Sequence, residues 1–136
     1  MKIAFATEDF RRVDAHFGWA QNIMVYDLNA DSQSLVRTVS FGEAASEGNN
    51  EDKIAAKVDA IKDCAIVYVA DIGGPAAARV VASKIHPIKA KGNETIQELL
   101  DSIKRVMNGT PPPWLRKAML KDQPRPADFD TEAGYA

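Results

Sequence analysis

The sequence predicts one α/β domain: a mixed five-stranded sheet with helices on its faces, in the order βββαβαβα. Three observations carry this. Lys2-Ile3-Ala4-Phe5-Ala6-Thr7 alternates apolar residues with a period near two, as a strand does. Residues 64–70 (Cys-Ala-Ile-Val-Tyr-Val-Ala) are almost continuously apolar, the pattern of a strand covered on both faces. Ile96, Leu99, Leu100, Ile103 and Met107 keep a helical period and fall on one face. Strands alternate with helices after the first three, so right-handed crossovers give a sheet of mixed direction.

Each element follows in chain order. The first strand, at residues 2–7, is expected at the centre of the sheet. Residues 22–28 and 35–41 are two β-rich runs separated by Asn29-Ala30-Asp31-Ser32-Gln33-Ser34, a turn-forming stretch, and they predict a hairpin. Residues 42–50 are small and polar, and their asparagines are expected to cap a helix at 51–62, where Ile54, Val58 and Ile61 share a face. The apolar strand at 64–70 comes next. Gly74 and Pro75 then start a helix that runs to residue 82 or 83, because proline at the first helical position gives up no useful hydrogen bond. A short strand at 85–89 follows, and Asn93 is expected to cap the last long helix, which Gly109 stops. Residues 1–109 therefore form the domain and 110–136 an extension. In it Pro111-Pro112-Pro113 is stiff, 114–120 can make a short amphipathic helix, and 121–136 is polar and expected to be disordered. Trp114, Leu115 and Met119 are expected to dock back on the domain, with a partner as the other destination.

Composition narrows the function. At 136 residues, 46% hydrophobic and 26% charged, the chain suits one soluble domain able to bury its own core. A formal charge of -2 supplies no basic field for nucleic acid. No charged-then-apolar leader opens the sequence and no apolar run approaches the roughly 20 residues of a membrane helix, so a cytoplasmic protein without a membrane partner is expected. One cysteine, Cys64, and two histidines, His16 and His86, are too few to assemble an iron–sulfur or zinc site from this chain alone.

Two loops stand out. Arg11-Arg12-Val13-Asp14-Ala15-His16-Phe17-Gly18 follows the first strand and offers two cations and an imidazole at a strand end. Ile72-Gly73-Gly74-Pro75 ends the most apolar strand and opens a helix whose first N–H groups can face an anion. Strand-end loops in an α/β sheet are expected to share one pocket. Cys64 heads the buried strand, where it packs as a small apolar residue or serves as a metal ligand. His86, before Pro87, is expected to be structural or superficial.

The first strand, Val13-Asp14-Ala15-His16-Phe17-Gly18, the run from Cys64 through Ile72-Gly73-Gly74-Pro75 to Val81, and Pro111-Pro112-Pro113-Trp114-Leu115-Arg116 together resemble the dinitrogenase iron–molybdenum cofactor biosynthesis family over roughly residues 1–120. The resemblance implies a ribonuclease H-like fold. It also implies a non-enzymatic carrier that binds an iron–sulfur precursor of the nitrogenase cofactor as cargo and passes it between the assembly proteins of nitrogen fixation. In that light His16, the histidine of the His-Phe-Gly motif with Phe17 beside it, is the implied cluster ligand. Arg11 and Arg12 would hydrogen-bond cluster sulfides or an attached carboxylate. Asp14 would orient His16 from behind. A carrier must release its cargo, so one or two side-chain ligands suit it better than a full set of thiolates. With so few ligands, a homodimer closing around the cargo would complete the coordination.

Three other classes are weighed against this. A nuclease needs carboxylates converging on divalent metals, and the first strand has none at its centre; Glu8, Asp9, Asp14 and Asp71 are strand-end residues only. Catalysis by Cys64 lacks a visible activating pattern. The stronger alternative is a small-anion-binding regulatory module that uses the Gly73–Gly74 helix start with Arg11 and Arg12.

Overall fold

The computed structural model describes residues 1–41, 51–91 and 93–121. The strands are β1 (Lys2–Thr7), β2 (Asn22–Leu28), β3 (Gln33–Ser40), β4 (Ile66–Val69) and β5 (His86–Lys89), and the helices are α1 (Glu51–Ala60), α2 (Gly74–Ala82), α3 (Ile96–Asn108) and α4 (Pro113–Leu120). They form one sheet in the order β3-β2-β1-β4-β5. The pairs β1–β2 and β2–β3 are antiparallel, whereas β1–β4 and β4–β5 are parallel. The sheet is thus mixed and β1 is central, as its sequence predicts.

The alternation of β1 divides the core. Ala4 and Ala6 join Ile23, Val25, Val67 and Val69 against α1 and α2, while Ile3 and Phe5 join Met24, Ile66 and Tyr68 against α3 and Leu115 of α4. Phe5 anchors the second layer, stacked on Tyr68 at 5.5 Å and edge-on to Tyr26 at 5.8 Å. Small alanines toward α1 and α2 let those helices sit close, and aromatic rings fill the wider space under α3.

Several boundaries differ from the sequence reading. β4 loses Cys64, Ala65 and Ala70 to the connections that leave the ladder. The cap of α3 is Thr95 rather than Asn93: its hydroxyl accepts from Glu98 N at 3.0 Å, and the Glu98 carboxylate accepts from Thr95 N at 2.9 Å. This reciprocal capping box satisfies two donors at once, which an asparagine two residues earlier cannot match. The expected asparagine cap of α1 and the tail beyond residue 121 lie outside the described residues. α4 is docked, with Leu115 buried, Trp114 stacked on His86 and Lys121 Nζ donating to the Cys64 carbonyl at 2.7 Å. No helix among the described residues is long and apolar enough to cross a membrane.

Candidate functional site

The parallel strands β1, β4 and β5 all end on one edge of the sheet, and the two loops singled out in the sequence meet there. The first begins at Thr7, whose buried hydroxyl accepts from Phe10 N at 2.9 Å and lies 3.3 Å from Asp9 Oδ1 and 3.4 Å from Asp14 Oδ1. Asp9 Oδ1 accepts from the backbone N–H groups of Arg12 and Arg11, each at 2.8 Å, and these bonds hold its carboxyl below the usual range. The tight turn puts Phe10 at φ 64°, in the left-handed region. From there the chain is tied to the start of α3, where Ile96 N donates to the Arg11 carbonyl at 2.8 Å and Arg12 bridges Thr95.

The loop then crosses the end of the sheet. Val13 is buried on the α3 side, whereas Ala15 and Phe17 are buried on the side of α1 and α2. Ala70 N donates to the Ala15 carbonyl at 2.9 Å and Phe17 N to the Asp71 carbonyl at 2.8 Å, so residues 15–17 extend the sheet beside the end of β4. His16 is thereby paired with Asp71, two residues before Gly73. A 3₁₀ turn, Phe17–Trp19, follows, with His16 as its N-cap: His16 Nδ1 accepts from Gly18 N at 3.1 Å. An imidazole nitrogen that accepts is unprotonated, so the neutral ring carries its proton on Nε2.

Asp14 does not orient His16 as expected. Its Oδ1 accepts from Glu8 N at 2.7 Å and faces Thr7, because those donors lie within the same turn, and it shapes the loop instead. Arg11 borders a hollow of about 220 Å³ with Phe10, Tyr26, Thr95, Ile96 and Gln97, on the α3 side. His16 does not line that hollow, so the loop presents Arg11 and the imidazole to different surroundings. Gly73 caps α2 without a side-chain hydrogen bond, no acidic residue occupies the first turn, and a Cβ at Gly73 or Gly74 would meet nothing within 4 Å. The start of α2 therefore faces open space, two residues after Asp71, the bridge partner of His16. Asp71 is held by Ile72 N at 2.9 Å and by Lys89 Nζ at 3.2 Å, which lower its pKa in that order.

The other soft ligands are elsewhere. Cys64 is buried before β4, at the opposite end of that strand from Asp71, and burial pushes its thiol up to about 12. His86 starts β5, where its N–H donates to the Ala65 carbonyl at 2.9 Å, so it shares the Cys64 edge. Among the described residues no three His, Cys, Asp or Glu side chains gather for a metal ion.

Two site residues escape the sequence reading. Trp19 is 46% exposed, with its ring 6.2 Å from His16 and nearly perpendicular to it. Lys57 of α1 is 1% exposed and its Nζ donates to the Gly18 carbonyl at 2.8 Å. The available signal for Lys57 was a lysine lying in the apolar stripe of Ile54, Val58 and Ile61.

Comparison with known proteins places this chain in a family. The family model described as dinitrogenase iron–molybdenum cofactor matches residues 1–106. Protein NifX of Herbaspirillum seropedicae is 53% identical over 132 residues, covering 97% of this chain and 90% of that protein. Protein NifX of Sinorhizobium fredii is 41% identical over 126 residues, covering 89% and 79%. The crystal structure of PH0822 shares the fold at a TM-score of 0.54 and 19% identity, covering 80% of this chain and 89% of that one. The chain therefore belongs to the dinitrogenase iron–molybdenum cofactor family, as a NifX-type cofactor biosynthesis protein.

Proposed function

We propose that the chain is a non-enzymatic, cytoplasmic carrier that binds an iron–sulfur precursor of the nitrogenase iron–molybdenum cofactor and transfers it between assembly proteins. The observation that carries this reading is the isolation of His16. One imidazole stands at the strand-end edge beside Asp71, Trp19 and the open start of α2, while Cys64 and His86 lie at the other end of the sheet. A single ligand from each chain holds a preassembled cluster and lets it go, which is what transfer requires.

The hydrogen bonding adds a loading step to this reading. The neutral imidazole has one lone pair, and Gly18 N–H already uses it. Iron bound at Nδ1 displaces that N–H; iron bound at Nε2 requires the proton to move to Nδ1, which ends the same bond. Loading thus exchanges one hydrogen bond for one metal bond, and release restores it. Phe17 and the first turn of α2, with Gly73 and Gly74, form the wall next to the ligand, and Lys89 balances Asp71 so that the edge does not repel an anionic cluster. Arg11 and Arg12, on the α3 side of the loop, add positive charge at longer range.

In this reading residues 1–109 are the cargo domain and 110–136 an extension, the fold is of the ribonuclease H-like kind, and a second copy of the chain supplies the remaining coordination. The small-anion module has weaker support, because it pairs the Gly73–Gly74 start with an Arg11 that lines a different hollow. Anaerobic titration with an isolated iron–sulfur cofactor precursor tests the proposal, read by visible absorption and iron per chain. Stoichiometric binding by the wild type and its loss in His16→Ala is expected. No binding by either protein would overturn the carrier reading and favour the anion module; equal binding would remove His16 as ligand.

A further inference from the structure

Two hydrophilic side chains, Thr7 and Lys57, are buried among the described residues, and both end on the same loop. Thr7 secures its beginning and Lys57 its end. For Lys57 the cost of burial is high, since an ammonium loses its hydration and has three donors to place. Among the described residues its surroundings return little: one hydrogen bond to the Gly18 carbonyl, the Phe41 ring at 5.5 Å, and the more distant charge of Glu8, opposed by that of Lys53. Burial depresses its pKa to about 8. A methionine or leucine at this point of the α1 stripe would fill the same space without that cost. The lysine is accounted for by what its head reaches.

Gly18 is held at both of its backbone groups. Its carbonyl accepts from Lys57 Nζ at 2.8 Å, and its N–H donates to His16 Nδ1 at 3.1 Å. Glycine has no side chain to fix the turn by packing, so hydrogen bonds set its orientation: these two, together with Trp19 N donating to the His16 carbonyl at 3.0 Å and Ala20 N to the Phe17 carbonyl at 3.5 Å. We propose that Lys57 is a positioning residue for His16: by fixing Gly18 it selects the imidazole tautomer in which Nδ1 accepts and Nε2 carries the proton. Lys57 acts through Gly18 and does not touch cargo. The importance of this selection rests on the carrier reading, because the same Gly18 bond is the one that loading gives up.

The test uses the full chain without cargo, labelled with nitrogen-15, and reads the imidazole nitrogens of His16 by two-bond proton–nitrogen correlation at a pH where the ring is neutral. The wild type is expected to show a single tautomer with Nε2 protonated. Lys57→Met is expected to lose that single-tautomer signature and to shift the Gly18 amide, with the fold checked by circular dichroism. Lys57→Arg keeps a donor and is expected to restore the wild-type pattern. A folded Lys57→Met protein with the wild-type tautomer and Gly18 amide overturns the proposal. If Lys57→Met does not fold, Lys57→Arg decides: a single tautomer supports the role and mixed tautomers overturn it. Failure of the wild type to bind cluster would sink the carrier reading while leaving this result standing, so the two failures are distinguishable.

Discussion

Trp114 stacks on His86, with ring centroids 4.3 Å apart and planes 15° apart, and so ties α4 to the start of β5. Partial desolvation lowers the pKa of His86 below its ordinary 6.5. In the window between 6.5 and that lowered value the unfolded or undocked chain binds more protons than the docked one, so docking weakens as pH falls through it. We expect hydrogen exchange across 113–120 to accelerate on acidification through this window, while exchange in β1 and β4 stays slow. In Trp114→Ala the acid dependence should disappear; its persistence would assign it to another group.

Leu115 is the apolar anchor of the same helix, 1% exposed and packed in the α3 layer. Leu115→Ala should cost about 2–5 kcal/mol in urea unfolding, the range for a buried leucine whose site collapses only in part. A cost near zero would mean that α4 does not contribute to the cooperative core.

Thr7→Val keeps the shape of the side chain and removes the hydroxyl that accepts from Phe10 N and faces Asp9 and Asp14. One part-buried N–H loses its partner, so stability should fall by about 1 kcal/mol. Because the loop from Thr7 to Gly18 is one hydrogen-bonded unit, the variant should also bind cluster more weakly than the wild type. Loss of stability with unchanged binding would show that His16 is held from the Asp71 side alone.

The framework of the fold was legible where the signal is local. Alternation in β1, the apolar run of β4 and the helical period of α3 depend only on neighbours in sequence, and the structure places each of them where its pattern predicts. The capping box of α3 was present as Thr95-Ile96-Gln97-Glu98, and Asn93 obscured it because both residues are good caps. The site was legible only in part. That His16 and Gly73 belong to neighbouring loops could be read from strand ends, but the pairing of His16 with Asp71 is a register between distant segments, which no local pattern encodes. Asp14 and His16, two apart in an extended stretch, suggest a contact; the turn at Phe10 instead brings Glu8 N–H to the carboxylate first. Lys57 and Trp19 were hidden because a single lysine in an apolar stripe and a single exposed indole acquire meaning only from what lies opposite them.

His16 and Cys64 belong to opposite ends of β4. The stretch from Cys64 to Asp71, at about 3.3 Å per residue, spans roughly 20 Å, far beyond the reach of two ligands on one cluster. The thiol is also chemically quiet: pushed up to about 12 by burial, then by the Asp63 carboxylate, it stays protonated near pH 8, whereas a metal ligand must be a thiolate. Cys64→Ala should therefore bind cluster with the wild-type stoichiometry under conditions in which His16→Ala does not. In the native wild type the thiol should resist iodoacetamide at pH 8 and react fully once guanidinium unfolds the chain. Rapid native alkylation, or loss of cluster binding in a folded Cys64→Ala protein, would return Cys64 to the ligand set and require the two ends of the strand to be served by different copies of the chain.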